Sequence, residues 1–157
     1  MKLSSQEEYG LRCLLQLARA GASLTISEMS EREGISAPNV AKIMRILRRA
    51  GLVTSTRGKA GGYTLARPAA EVKALDVLAA LGGRLFDTGF CDRHAGVESH
   101  CLNTRDCSIR PVLRGLQQAV DHVLGELTLA SLLPSESEVT VTLRPRAVKL
   151  PMARRAS

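Results

Sequence analysis

A pair of short predicted helices joined by the three-residue link Gly34-Ile35-Ser36 constrains this sequence more than any other feature. Thr25 and Glu28 have the spacing of a capping box, in which the N-cap and N3 side chains each bind the other's backbone N–H, so a helix is predicted over 26–33. The serine of the link caps the second helix, and Pro38 lies in its first turn, where its missing N–H removes no hydrogen bond. Two such short helices across a tight link predict a helix-turn-helix.

The second helix has one apolar face and one polar face. Its apolar residues recur at helical spacing, and they are Val40, Ile43, Met44 and Leu47. The residues on its other side are Asn39, Lys42, Arg45 and Arg49, and Gly51 ends the helix. This arrangement is typical of a recognition helix, which lies in the major groove of DNA.

A β-hairpin is predicted directly after this helix. The β-branched runs 52–56 and 63–66 flank the glycine-rich tip 57–62. A hairpin in this position is the wing of a winged helix, and Arg57 and Lys59 at its tip are expected to reach the DNA backbone or minor groove. A basic, glycine-rich tip is also compatible with a nucleotide phosphate, but the GxxxxGK[ST] spacing of a P-loop is missing.

Positive charge concentrates in the same region. The chain has a net charge of +7, yet residues 34–67 and 139–157 contain basic side chains and no acid. Such a distribution resembles the electrostatic footprint of a phosphate-binding surface, although a solvated basic face is an alternative. We therefore expect double-stranded DNA as the partner.

Three further helices complete the expected order. An amphipathic helix over 6–20 turns Cys13 inward, and a helix that begins near Val72 ends at Gly82-Gly83. The longest predicted helix runs about two dozen residues to Leu133, with one apolar stripe. That stripe needs a partner, either the helix's own domain or a second copy of the chain.

Three of the four cysteines lie in the loop before the longest helix, and they are Cys91, Cys101 and Cys107. Their C-x9-C-x5-C spacing lacks the close C-x2-C pairs that hold structural zinc. Wide gaps on a loop are better suited to an iron–sulfur cluster, in which each iron binds its own thiolate. A thiol switch without metal and a zinc site are the alternatives. The candidates for a fourth ligand are His94, His100, Asp92, Asp106, Glu7 and Glu8.

Composition excludes several classes of protein. Aromatic residues make up 3% of the chain and Trp is absent, so a core of Leu, Val, Ile and Ala is expected, which favours helices. No apolar run approaches the roughly 20 residues of a membrane span, and no signal-peptide pattern is present, so we expect a cytoplasmic protein without membrane contact. The three His and scattered acids form no catalytic pattern, so we expect no enzyme.

The sequence resembles the IscR/NsrR group of winged-helix iron–sulfur transcription regulators over residues 1–133. The matching segments are Met1-Lys2-Leu3-Ser4 with Tyr9, Gly34-Ile35-Ser36, the wing 57–66, the three loop cysteines and Thr128-Leu129-Ala130. The resemblance implies a homodimer in which the long helices cross. It also implies a cluster, 4Fe-4S in preference to 2Fe-2S, that controls DNA affinity in response to nitric oxide, redox stress or iron status.

The resemblance also assigns roles to single residues. The cluster ligands fall on Cys91, Cys101 and Cys107, with Glu8 supplied by the opposite subunit. Arg110 stands where IscR-type members have a histidine ligand, and the first cysteine gap is longer than in most members. The base-reading positions fall on Ser36, Pro38, Asn39 and Ala41, with Arg57 in the wing. Because Ala41 lacks the carboxylate by which IscR-type members discriminate bases, a different operator is expected.

We therefore predict a mostly α-helical fold with a small β-hairpin wing, that is, a winged helix-turn-helix with a long dimerisation helix. Its divisions are a DNA-binding domain (1–83), a cluster-binding loop (84–107), a dimerisation helix (108–133) and a basic, flexible tail (134–157) with little order beyond Arg144. The predicted function is an iron–sulfur-dependent DNA-binding repressor; the alternative is a thiol-switch or zinc-stabilised module without a cluster. The predicted DNA contacts are Ser36, Pro38, Asn39, Lys42, Arg45, Arg57 and Lys59.

Overall fold

The computed structural model of the chain describes residues 3–56, 58, 61–87, 89–97, 101–103 and 105–142. Within these residues the chain is mostly α-helical with one two-stranded antiparallel sheet, which confirms the predicted fold class. The elements are α1 (Ser5–Ala20), α2 (Ile26–Glu33), α3 (Ala37–Arg49), β1 (Val53–Thr56), β2 (Gly62–Leu65), α4 (Ala74–Leu81), α5 (Phe90–Arg93), α6 (Ile109–Glu126) and α7 (Glu136–Thr142). No helix in this part of the chain is long and apolar enough to span a bilayer.

Reciprocal capping sets the start of α2, as the sequence predicts. The backbone N–H of Glu28 donates to Thr25 Oγ1 (3.2 Å), and the backbone N–H of Thr25 donates to Glu28 Oε2 (2.7 Å). The Thr25 backbone N–H and the Thr25 hydroxyl (2.8 Å) both donate to Glu28 Oε2, which favours the carboxylate and lowers the pKa of Glu28. The helix ends at Gly34, which has a φ of 64° that a side chain would strain. The predicted bounds of this helix are thus confirmed.

The recognition helix α3 begins as expected, with one difference. Ser36 occupies the N-cap position and Pro38 lies in the first turn, but the Ser36 side chain accepts no capping hydrogen bond in the described structure. The serine hydroxyl is exposed instead. The last helical residue is Arg49, and Gly51 follows with a φ of 70°.

The core lies where α1, α2, α3 and α4 meet. Its large side chains are fully buried, and they include Leu14, Met29, Met44, Leu47 and Leu129. Cys13 also faces this core, as its helical position predicts. Burial of one face of α3 fixes which side of that helix meets solvent.

The wing hairpin pairs with a further segment of the chain beyond its own two strands. β1 and β2 pair from Val53 opposite Leu65 to Thr56 opposite Gly62. Tyr63 of β2 also exchanges two backbone hydrogen bonds with Leu24, at 2.8 and 3.0 Å. The segment between α1 and α2 therefore acts as a third, very short strand that holds the wing on the helices.

The longest helix is shorter than predicted, because tertiary contacts end it. α6 stops at Glu126, and Leu127 adopts an extended backbone with φ −89° and ψ 132°. The Leu127 carbonyl accepts from the N–H of Ala74 (2.9 Å), and the N–H of Leu129 donates to the Val72 carbonyl (2.9 Å). These bonds draw the chain back to the start of α4 and bury Leu129, so the prediction of helix to Leu133 was wrong.

Two short helices occur where none was predicted. α5 lies inside the cysteine loop, and α7 lies inside the segment predicted as a tail. Ser135 begins α7 by donating its backbone N–H and its hydroxyl to Glu138 Oε2, at 2.9 and 2.6 Å. The prediction for residues beyond Arg144 falls outside the described residues.

Gly62 offers a test of how the wing is held. A Cβ at this position would lie 2.7 Å from the Leu24 carbonyl oxygen and 2.5 Å from Ser23 Oγ. We expect Gly62→Ala to lower the free energy of unfolding in urea by about 1–3 kcal/mol, because backbone must shift to admit the methyl group.

Gly115→Ala in α6 is the matched control, since a Cβ there meets nothing within 4 Å. It should raise the free energy of unfolding by about 0.5–1 kcal/mol through helix propensity. An unchanged unfolding midpoint for Gly62→Ala would contradict the three-stranded arrangement.

Candidate nucleic-acid interface and cysteine loop

The polar face of α3 is open to solvent. The side chains of Asn39, Lys42, Arg45, Arg48 and Arg49 are exposed, whereas the apolar face is buried. The first turn contains no acidic residue, so nothing in that turn offsets the positive end of the helix dipole. The salt bridges of the described residues involve neither Lys42 nor Arg45. This face therefore offers uncompensated positive charge.

The start of α3 is also accessible. Ser36, Pro38 and Asn39 are exposed, whereas Ala41 is half-buried. Asn39 and Lys42 line a cleft of about 180 Å³ together with Tyr9 of α1. Backbone N–H groups at a helix start and exposed polar side chains are together suited to phosphate oxygens and base edges.

Side-chain bonds orient the wing relative to α3. Arg48 Nη1 donates to Ser55 Oγ of β1 (3.2 Å), and the hydroxyls of Thr54 and Thr64 bond across the hairpin (2.9 Å). Arg67, which the sequence placed in the basic region, pairs with Asp76 at 3.2 Å. The wing residues Arg57 and Lys59 lie outside the described residues.

A charged network joins α1 to the end of α2. Arg12 Nη1 lies 3.2 Å from Glu8 Oε1, and Arg12 Nε donates to Glu33 Oε2 at 2.7 Å. Arg12 Nη2 also donates to the Glu33 carbonyl. The hydrogen bond to Glu33 is the main cause that raises the pKa of Arg12. Glu8, with its side chain 45% exposed, is thus connected through Arg12 to Glu33, which directly precedes the helix-turn-helix link.

The four cysteines fall into two chemical groups. Cys13 is fully buried, and desolvation raises the pKa of its thiol to about 11, so it stays a neutral thiol. Cys91, Cys101 and Cys107 are free and half-buried. Among the described residues, no three His, Cys, Asp or Glu side chains lie close enough to hold one metal ion. A single chain therefore does not gather the loop thiols into a finished site.

Cys91 lies in α5, the short helix within the cysteine loop. It is the second residue of this helix, next to Phe90, whose ring contacts Phe86 (centroids 5.2 Å apart) and His94 (4.1 Å). Cys91 also lines a cavity of about 670 Å³ against α6, together with Arg84, Arg110, Arg114 and Gln117. Cys107 lies at the other end of the loop, where its carbonyl accepts from the N–H of Arg110 (3.2 Å).

The candidates for a fourth ligand differ in their exposure and in the contacts that they make. The His94 ring stacks on Phe90, and its Nδ1 lies 2.8 Å from the Phe90 carbonyl oxygen. Glu7 is occupied in a capping box with Ser4. Asp92 and Asp106 are exposed, and His100 lies outside the described residues. Glu8 is half-buried on α1, where its carboxylate pairs with Arg12.

The long helix α6 has two functional faces, one of which the sequence reasoning missed. Exposed apolar residues lie at heptad-like spacing along one face, and they are Ile109, Val112, Leu116 and Val123. On another face, Gln117 is buried and hydrogen-bonded to the start of the cysteine loop. The sequence does contain a signal for Gln117, because this polar residue lies on the same side of the helix as the apolar Leu113 and Leu124.

A helix-turn-helix with an open basic face, followed by a hairpin wing, defines this chain as a winged-helix DNA-binding protein. The Rrf2 family, described as iron-dependent transcriptional regulators, matches residues 3–135. The protein rrf2 of Nitratidesulfovibrio vulgaris is 34% identical over 139 residues, which cover 87% of this chain and 90% of that protein. The chain belongs to the Rrf2 family, and it is a transcriptional regulator, not an enzyme.

Solved structures agree with this assignment. The IscR of T. potens superposes with a TM-score of 0.65 at 29% identity, covering 85% of this chain and 86% of that one. The oxidised form of Staphylococcus aureus CymR superposes with a TM-score of 0.64 at 26% identity, covering 86% and 98% of the two chains. Both IscR-type and CymR-type regulators therefore share this fold.

Proposed function

We propose that this chain is a homodimeric, iron–sulfur-dependent repressor whose cysteine loop responds to nitric oxide, redox stress or iron status. The observation that carries the proposal is the double use of α6, which holds the loop of three free thiols and presents an unpaired apolar seam. A change in the loop would thereby alter the helix that joins two DNA-reading domains. The divisions 1–83, 84–107, 108–133 and 134–157 belong to this proposal, with the helical part of the third ending at Glu126.

DNA recognition is assigned to α3 and the wing. Asn39, with Ser36 and Pro38 at the start of the helix, would meet base edges in the major groove, and Lys42 and Arg45 would meet phosphates. Arg57 and Lys59 would contact DNA from the wing tip. The support is the exposure of the described residues in this set and the absence of acid from the first turn of α3.

Homodimer formation is assigned to the seam of α6. Ile109, Leu116 and Val123 are seven residues apart, and Val112 lies between the first two, as at the a and d positions of a coiled coil. These four side chains are between 46% and 63% exposed in the single chain, so water would leave them when a second copy packs there. Paired α6 helices would set the separation of two recognition helices.

The donor set suits an iron–sulfur cluster, although one chain does not bring it together. Cys91, Cys101 and Cys107 are free thiols on one loop, and Glu8 is an accessible carboxylate on a surface that a second subunit can reach. When bound, the cluster, for which we favour 4Fe-4S, would supply a redox-active iron with one labile ligand position. The loop has to close to bind it, which makes the loop conformation sensitive to the signal.

Arg12 offers a route from the fourth ligand to the DNA-reading helix. If Glu8 turns towards a partner's loop, it releases Arg12, whose other hydrogen bonds are both with Glu33 and whose guanidinium lies over the Tyr9 ring. Glu33 is the last residue of α2 and precedes the link to α3. A coupling of about 1–3 kcal/mol through this network would change operator affinity by roughly 5- to 150-fold.

A second candidate is a thiol switch without a cluster. It is favoured by the likeness to oxidised CymR and by the finding that no three His, Cys, Asp or Glu side chains among the described residues lie close enough to hold one metal ion. Two loop thiols would lose two protons and two electrons to hydrogen peroxide, forming one disulfide and two water molecules. A zinc-stabilised loop is the remaining alternative, and analysis of both iron and zinc separates all three.

The DNA assignment predicts different losses for different basic residues. A duplex obtained by binding-site selection serves as the specific site. Arg57→Ala should weaken binding to this duplex more than to random DNA, whereas Lys42→Ala should weaken both and reduce the salt slope by about 0.9. Arg67→Ala is the control, because Asp76 already compensates its charge. Equal losses on both duplexes for Arg57→Ala would remove its reading role.

The cluster assignment predicts a coloured protein after anaerobic purification. Visible and paramagnetic-resonance spectra should give the cluster type, and Glu8→Ala should speed cluster loss without changing the unfolding midpoint. Glu31→Ala, an exposed acid on α2, is the matched control. A colourless, iron-free protein whose DNA binding still responds to peroxide would support the thiol switch instead, and bound zinc would support the third candidate.

The dimer assignment predicts that charge in the seam separates the subunits. Leu116→Glu should shift the sedimentation coefficient to that of a monomer and strongly weaken binding to the selected duplex, because burial of a carboxylate is unfavourable. Val141→Glu on α7 is the control, since Val141 is similarly exposed but lies outside the seam. Persistence of the dimer in Leu116→Glu would place the interface elsewhere.

A further inference from the structure

Gln117 is an unusual residue for its position. It lies in the middle of α6 and is 6% exposed, and among the described residues it is the sole polar side chain in the buried class. Its neighbours on the same side include the apolar Leu113 and Val120, one turn away, and Leu124, two turns away. A leucine would satisfy such packing at least as well, so the amide needs a reason beyond burial.

The amide group of Gln117 is satisfied at both ends. Its Oε1 accepts the backbone N–H of Phe86 at 2.9 Å, across 31 residues of sequence. Its Nε2 donates to Asp121 Oδ1 at 2.7 Å, one turn further along α6. Asp121 Oδ2 in turn accepts from Arg84. The segment 84–86 is therefore fastened to α6 at two points, and Gln117 is the one that bonds the backbone.

This fastened segment leads straight into the cysteine loop. Phe86 contacts Phe90, and Phe90 directly precedes Cys91 in α5. Arg93 of the same helix donates to both carboxylate oxygens of Asp87, at 2.8 and 3.0 Å, which lowers the pKa of Asp87. These contacts link residues 84–87 to residues 89–94, and the Gln117 and Asp121 side chains attach the first of these segments to α6.

The far end of the loop is attached to the same helix. The Cys107 carbonyl accepts from Arg110 in the first turn of α6. From Ile109 to Gln117 the helix rises about 12 Å, at 1.5 Å per residue. The first and last loop cysteines are therefore both held close to α6. Cys101 lies between them, two residues before Asn103, whose carbonyl accepts from Arg110 Nη2 at 3.5 Å.

We propose that Gln117 is the positioning residue of the cysteine loop: its amide fixes Cys91 relative to Cys107 along α6. It acts through the Phe86 backbone and touches no ligand itself. The inference rests on the proposed function only in taking the loop as the sensor; the attachment concerns the chain whether it holds a cluster, zinc or a disulfide. Release of the Gln117 bond would let residues 84–94 move away from the helix that carries the apolar seam.

The test compares Gln117→Leu with Gln118→Leu in the full-length, iron-free, reduced protein. Gln117→Leu keeps the side-chain volume but leaves the Phe86 N–H without its acceptor, whereas Gln118 is exposed on the same helix. Hydrogen exchange of the peptide that contains Phe86 should become at least about fivefold faster in Gln117→Leu, the factor that corresponds to one net hydrogen bond of about 1 kcal/mol. Gln118→Leu should leave this rate unchanged.

Thiol alkylation separates positioning from general destabilisation. The buried Cys13 reports opening of the whole domain, and Cys91 reports the loop. In Gln117→Leu the ratio of the Cys91 rate to the Cys13 rate should rise, with the urea midpoint equal to or above that of the parent. Asp121→Asn should give a smaller rise, because an amide oxygen still accepts from Gln117 while the charge that holds Arg84 is lost.

The outcomes are distinct. Faster Phe86 exchange with unchanged Cys13 alkylation supports the proposal, and in protein that does hold a cluster the same variant should lose it faster. Unchanged exchange in Gln117→Leu, or a parallel rise at Cys13 and Cys91, overturns it. Failure of the iron–sulfur proposal is distinguishable from failure of this one. In that case the parent protein binds no iron, but Phe86 still exchanges faster in Gln117→Leu than in the parent.

Discussion

The rest of the structure depends on the burial of one face of α3. Val40, Ile43, Met44 and Leu47 are buried in the core formed with α1 and α4, and the hydrophobic effect thereby decides which face of α3 meets solvent. The same burial places the basic side chains Lys42, Arg45 and Arg49 on the outward face. Weak, screened surface charges could not set this orientation alone. Packing of the core therefore determines which residues form the DNA-reading surface.

The helix α6 contacts both the DNA-reading domain and the cysteine loop, each with a different face. One face carries the exposed apolar seam, a neighbouring face packs on α4, and a third holds the loop through Gln117 and Asp121. In the proposed function, this one helix would therefore carry a change in the loop to the dimer seam, whether the loop holds a cluster or forms a disulfide.

Local features were predictable, and those set by distant contacts were not. The capping box of Thr25 and Glu28 and the glycine at the end of α2 act within one turn, so the sequence indicates them directly. The end of α6 depends on backbone pairing between Lys73 and Thr128, which no local pattern reveals. The thiols of the candidate site are predictable as a set, but their assembly is not, since it requires loop closure and a ligand from outside the loop.

The pairing of Tyr63 with Leu24 has a mechanical consequence for the wing. Two strands of four residues would form a marginal hairpin by themselves. Because its base also pairs with the segment between α1 and α2, the hairpin is held on the helices by a third strand position. A force that DNA applied to the hairpin would therefore pass into α1 and α2, and both of these helices pack on α3.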